Sequence, residues 1–115
     1  MRWRPAFEQA LDPRLYPVSY LDHLLYIGQA HLWATDHAAL VTEFKHFPSG
    51  AKAIAVVIAA GDKDDIVNEL RPQAEAWGTT QGCTFALVES REGWGRALKP
   101  HGYATHQVAL MKELG

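Results

Sequence analysis

A chain of 115 residues with 48% hydrophobic content can bury roughly two thirds of its unfolded surface, enough for one core and not for two domains. Its 11 basic and 13 acidic side chains leave a formal charge of −2, so no summed positive field draws nucleic acid or an anionic membrane to the surface. The charged start Met1-Arg2-Trp3-Arg4-Pro5 leads into no apolar stretch, no run nears the ~20 residues of a membrane span, and the single Cys83 has no disulfide partner, which together favour a reducing cytoplasm.

Residues 1–16 hold one short helical possibility, Ala6 to Leu11, closed by Asp12-Pro13 because a proline steers the preceding residue away from helix. The rest of that segment is poorly defined. From 18 to 28, Val18, Leu21, Leu24 and Leu25 fall at helical spacing, with Pro17 or Ser19 to start the helix and Gly28 to stop it. Between Ala30 and Ala60 the period shortens to that of strands. His31–Ala34 is the first strand, and Ala39–Phe47 the second, with Leu40, Thr42, Phe44 and His46 on one face. Lys52–Ala60 is the third. Its Ile54-Ala55-Val56-Val57-Ile58 run is apolar on both faces, as a central strand covered by helices above and below requires.

Asp62–Thr80 returns to helical spacing, with Ile66, Leu70, Ala74 and Trp77 as the buried stripe, and Pro72 should kink or split it. Cys83–Val88 is a fourth strand, Cys83 behaving as a small buried hydrophobe. Glu92–Lys99 is a short helix closed by Pro100-His101-Gly102, and Tyr103–Leu114 a final strand expected to pair antiparallel. The order predicts a single α/β (α+β) domain over 1–115.

Helix, three antiparallel strands, helix, strand, helix, strand resembles the GNAT acyltransferase fold from its second strand onward: a mixed sheet in which antiparallel strands are followed by β-α-β-α-β. Segments Gln29-Ala30-His31-Leu32-Trp33, Leu40-Val41-Thr42-Glu43-Phe44, Ala59-Ala60-Gly61-Asp62, Gln73-Ala74-Glu75-Ala76-Trp77, Gln81-Gly82-Cys83, Gly93-Trp94-Gly95-Arg96-Ala97-Leu98 and Gly102-Tyr103 with Lys112-Glu113-Leu114 look like a short GNAT-like family encoded among phage and prophage structural genes. The likeness covers residues 18–114. It implies the fold, a cytoplasmic or virion-associated setting, and a virion or phage structural protein as partner.

Enzymes of that fold bind the pyrophosphate of acyl-CoA on backbone amides at the turn from the third strand here into the following helix, an anion site at a helix N-terminus. Acyl-CoA, if bound, would meet Ala60, Gly61, Asp62 and Lys63. The signature expected there, Gln or Arg, two residues, Gly, one residue, then Gly or Ala, is matched by Gly61 alone. Asp62, Asp64 and Asp65 set three carboxylates against Lys63. Each like-charge pair at ~4 Å costs about 1 kcal/mol even in water, against about 0.3–1 kcal/mol of attraction from the helix end. No cofactor is therefore expected. Asp62 fits instead as an N-cap, with Asp64 and Asp65 complementing the helix dipole; a divalent cation bridging them to a phosphate would need converging oxygens.

The tyrosine that protonates the leaving thiolate in many such enzymes has no counterpart in Glu92–Leu98, and Tyr103 reads as a packing residue of the last strand. Glu89, at the end of the fourth strand, is the best general base, or else an exposed strand-end carboxylate. The six histidines show no metal-ligand spacing, so no metal is expected. Trp77 and Trp94 read as core; Trp3 and Trp33 suit either a protein interface or edge burial. Two functions remain: a non-catalytic or degenerate GNAT-like protein acting through protein contacts, and an acetyl-CoA-dependent N-acetyltransferase with a divergent pyrophosphate loop. A homodimer built on exposed strand edges suits either.

Overall fold

The period-2 segments pair into one sheet because each offers an apolar face that a single strand cannot bury. The computed structural model describes residues 2–89 and 94–115. Within them β1 (Ala30–Ala34), β2 (Ala38–His46), β3 (Lys52–Gly61) and β4 (Phe85–Val88) lie in the order β1-β2-β3-β4. The first three strands are antiparallel and β4 joins β3 in parallel, giving the mixed α/β sheet expected.

One face carries α1 (Arg4–Ala10) and α2 (Val18–Tyr26). Phe7 and Leu21 pack there on Ala30, Ala39, Val41 and Ile58. The first helix thus starts before Ala6 and delivers Phe7, with no exposed surface, into the core, a burial worth about 1.5–3 kcal/mol. Against the opposite face runs a continuous helix: α3 (Lys63–Asp65), π-helical turns over Ile66–Leu70, then α4 (Arg71–Thr80). Ile66 and Leu70 pack on Ala38 and Leu40. Trp77 stacks on Phe44 with ring centroids 5.2 Å apart, so the Leu40, Thr42 and Phe44 side of β2 faces this helix as its alternation requires.

Pro72 acts through the turn before it. The Arg71 amide reaches Ile66 O, five residues back, and the Val67 carbonyl it bypasses takes Arg71 Nε at 2.8 Å. The helix widens where the proline's missing N–H and bulky ring exclude the normal ladder.

Two expectations give way. β4 begins at Phe85 and not Cys83, because Gly82 (φ 86°) turns left-handed and the Cys83 amide donates to Gly78 O at 2.9 Å, capping α4. Cys83 is half-buried, and burial pushes its thiol pKa up. Tyr103–Leu114 forms no strand: after α5 (Trp94–Leu98) and a 3-10 turn over Lys99–His101, residues 104–115 carry no regular structure. A strand exists through its neighbour's hydrogen bonds, and among the described residues no strand pairs with this segment. Glu92 and Gly93, the expected start of the last helix, lie outside the described residues.

Candidate functional site: the cleft where β3 and β4 part

The sheet opens at a bulge. Val41 faces Ile58 while the next residue, Thr42, faces Val56, so Val57 is an extra residue that bends β3. β4 pairs with Ala53–Val56, and the Glu89 amide closes the ladder on Val56 O at 3.1 Å. Beyond that point β3 runs on to Gly61 without β4. The gap forms a cavity of about 510 Å³ lined by β3 from Val56 to Gly61, by Ile66, Val67 and Arg71, by Trp94 and Leu98, and at its end by Glu89.

Ala60 and Gly61 line this cleft, whereas Asp62 and Lys63 lie past its rim. Gly61 has φ 99°, and a Cβ there would stand 2.3 Å from His37 O, so no L side chain fits. Two of the amides that follow are already engaged. Asp62 N–H donates to His37 O at 2.9 Å, and Asp65 N–H to Asp62 Oδ1 at 3.0 Å. Asp62 is the N-cap its sequence position suggested. Asp65 is tied down in turn, accepting from the Thr35 hydroxyl at 2.7 Å, while that hydroxyl oxygen accepts from the His37 and Ala38 amides. Lys63 Nζ lies over the Trp94 ring, 5.4 Å from its centroid. Asp64, exposed like Asp62 and Lys63, is a simple dipole partner in the first turn.

Glu89 does reach the cleft, where it forms an ion pair with Lys45. As a general base it would have to leave that partner. Tyr103 sits elsewhere: its hydroxyl donates to Glu75 at 2.9 Å, and burial, reinforced by that bond, pushes its pKa well above the ordinary phenol range. It is a half-buried packing residue, though not in a strand. The polar group that sequence reasoning missed is Arg71. It lines the cleft, pairs with Glu75 at 2.5 Å and meets His101 Nδ1 at 3.1 Å; Pro72 marks a break at this point but not the π geometry that leaves Val67 O to Arg71 Nε.

The histidines do not gather. His31 packs edge-on to Trp77 at 4.6 Å with its Nδ1 buried and unbonded, and among the described residues no three His, Cys, Asp or Glu side chains cluster. No helix of the described residues is long and apolar enough to cross a membrane. Trp33 is half-buried in the same aromatic group, its Nε1–H donating to Thr42 Oγ1 at 3.0 Å, and Trp3 packs against the Phe7 cluster. Trp94 is half-buried where it meets the Leu40 cluster.

No family model matches the chain, and no curated protein matches it. Solved structures do resemble it. A ribosomal-protein-alanine N-acetyltransferase from Brucella melitensis biovar Abortus 2308 matches with a TM-score of 0.67 at 14% identity, over 97% of this chain and 91% of that one. A predicted acetyltransferase from Clostridium acetobutylicum, solved with acetyl-CoA, gives 0.68 at 10% identity over 90% and 76%. Glucosamine-6-phosphate N-acetyltransferase from Arabidopsis thaliana gives 0.63 at 8% identity over 84% and 76%. At such identities the likeness is one of fold: the chain has a GNAT-like fold.

Proposed function

We propose that this chain is a degenerate GNAT-like protein that does not turn over acyl-CoA and acts through protein contacts. The observation that carries the reading is the Asp62 carboxylate, which caps the helix N-terminus after β3 and holds the Asp65 amide. An anion site of this kind works by presenting free amides and positive dipole to a ligand's phosphates; here the chain's own carboxylate occupies that role. Asp64 and Asp65 add like charge around it. The resemblance to phage and prophage-encoded proteins supports a virion or phage structural protein as the partner, met in the cytoplasm or the virion.

Isothermal titration with acetyl-CoA, with and without Mg²⁺, alongside thermal shift, tests this. The expected outcome is no heat and no shift under either condition. Binding tighter than ~100 μM would raise the melting temperature at millimolar ligand by mass action and overturn the reading.

The cleft itself favours a second reading, an acetyl-CoA-dependent N-acetyltransferase. Ala60, Gly61 and Glu89 border one cavity, so an acyl chain along β3 would lie within reach of a carboxylate able to take the proton of an attacking amine. Asp62 and Lys63 would then have to turn toward the phosphates, and Glu89 would have to release Lys45. The same titration decides between the two.

A further inference from the structure

We infer that the outer edge of β1, together with the outward side of α2, is the surface on which two copies of this chain associate about a two-fold axis through Leu32. This surface is separate from the cleft, and the inference holds whether or not acyl-CoA binds.

The sheet has two outer edges. Beside that of β4 lies a groove of about 570 Å³ shared with the β2–β3 turn, with Glu75 of α4 and with Gly102, Tyr103 and Ala104, so other parts of the chain stand close to it. At the opposite side of the sheet, among the described residues, the backbone of Ala30–Ala34 bonds to β2 alone. Sheet edges are ordinarily blunted by charge, proline or a bulge. Ala30-His31-Leu32-Trp33-Ala34 contains no Lys, Arg, Asp, Glu or Pro, and its register against β2 is unbroken.

The helix α2 extends this surface. Its Leu21 and Leu25 belong to the core. Asp22, on one flank of that pair, accepts from Arg4 Nε at 2.9 Å, so this flank faces α1, which packs on β3 while α2 packs on β1. Tyr20, Leu24 and Ile27 follow one another at i, i+4 and i+7 and make a second apolar stripe on the other flank, roughly 100° round the helix from the core pair. That stripe therefore points past β1, away from α1. Tyr20 and Ile27 are 49% and 47% exposed. An apolar helix stripe and a bare strand edge thus lie side by side.

The occupant that fits both at once is a second copy. Antiparallel pairing about Leu32 sets Ala30 against Ala34 of the other copy and His31 against its Trp33, small with small and ring with ring, and Leu32 against itself. Leu32 pairs with Val41 and so lies on the α2 face, where it is 40% exposed. Near a two-fold axis a charge meets its own like, and Leu24–Thr35 contains no Asp, Glu, Lys or Arg. The helices fit as well. Leu21 shares its cluster with Ala30 of β1 and Val41 of β2, which sets α2 above the join of those strands. Across a pair of β1 strands the two α2 axes then stand two strand spacings apart, ~9.6 Å, within the range of about 8–10 Å for packed helices. Burying Tyr20, Ile27 and Leu32 beside a strand edge gives a contact on the order of 1,000 Å², the small end of specific interfaces.

Analytical ultracentrifugation of the full chain, from micromolar to submillimolar concentration, should show a shift from one chain mass to two. Leu32→Lys sets like charges on the axis and should leave only monomer, as should Leu32→Glu. Mixing these two variants should restore the dimer mass, because each then meets its opposite. Tyr20→Glu tests the α2 stripe without touching the strand; it should weaken association about tenfold or more at unchanged far-UV circular dichroism, since the ring is half exposed in the monomer. Amide exchange across residues 30–34 should slow as concentration rises. A wild-type monomer throughout, a dimer that survives both Leu32→Lys and Tyr20→Glu, or a mixture of the two folded Leu32 variants that stays monomeric would each overturn the inference.

Discussion

The two sides of β4 are closed in opposite ways. On the inner side β3 and β4 part after Val56, and the cleft ends at a loop in which the Asp62 and Asp65 amides are satisfied from within the chain, by His37 O and by Asp62. On the outer side a groove of similar size lies beside backbone groups that no described strand satisfies. Buried or edge polar groups find partners in stable proteins. Where the partner is local, as a capping carboxylate is, three residues of sequence suffice; where it must be a strand, no described residue supplies it. Both closures can be broken separately.

The largest effect is expected at Gly61→Ala. A Cβ there meets a backbone carbonyl at 2.3 Å and the residue sits at φ 99°, so the loop must move or strain by at least about 2 kcal/mol. Urea unfolding should show that loss at unchanged slope. A loss under half of it would mean that the β3–α3 turn is loose and the inner closure is not fixed by geometry. A smaller effect follows at Asp62. Asp62→Ala removes the cap and should destabilise by about 1 kcal/mol, whereas Asp62→Ser keeps an acceptor and should lie within a few tenths of wild type.

Asp62 also sharpens the functional side of the comparison. Charge reversal at Asp65 would break its bond to the Thr35 hydroxyl, so the informative variant pairs Asp62→Ser with Asp64→Lys, at positions where the fold is least disturbed. If repulsion alone keeps acyl-CoA out, this variant gains affinity for it in titration. If it gains none, the amides held by His37 and the cap are themselves the barrier.

What could be read from the residues follows the same division between local and distant causes. The β3 run Ile54–Ile58, the stripe Ile66, Leu70, Ala74 and Trp77, and the cap at Asp62 are patterns whose cause lies within a few residues, and each stands in the structure at its expected place, save that Trp77 is only half-buried. The bulge at Val57 arises from register against β2, and the π turns from how the helix before Pro72 seats on Ala38 and Leu40. The bulge has no residue-type signature, and Pro72 announces a break in the helix without announcing that it takes π form. Tyr103–Leu114 shows the limit most clearly: its Val108 and Leu110 alternation is that of a strand, yet alternation states which face would be buried and not what buries it. Arg71 entered the cleft unannounced because its orientation depends on those π turns.

Tyr103 gives the smallest effect and tests the wall of the outer groove. Burial and its bond to Glu75 hold the phenol neutral well beyond its ordinary pKa, while in the unfolded chain it ionises near about pH 10. With the folded value above the unfolded one, its contribution is complete below about pH 10 and is lost as pH rises beyond it. Tyr103→Phe should therefore destabilise by about 0.5 kcal/mol at neutral pH, the low end because Glu75 keeps Arg71 as a partner. Above about pH 10 wild type should lose melting temperature more steeply than the variant, and the two should converge. Parallel curves would mean that Tyr103 is not held on α4. The segment after it would then be free to swing toward β4, and the outer groove would lose its far wall.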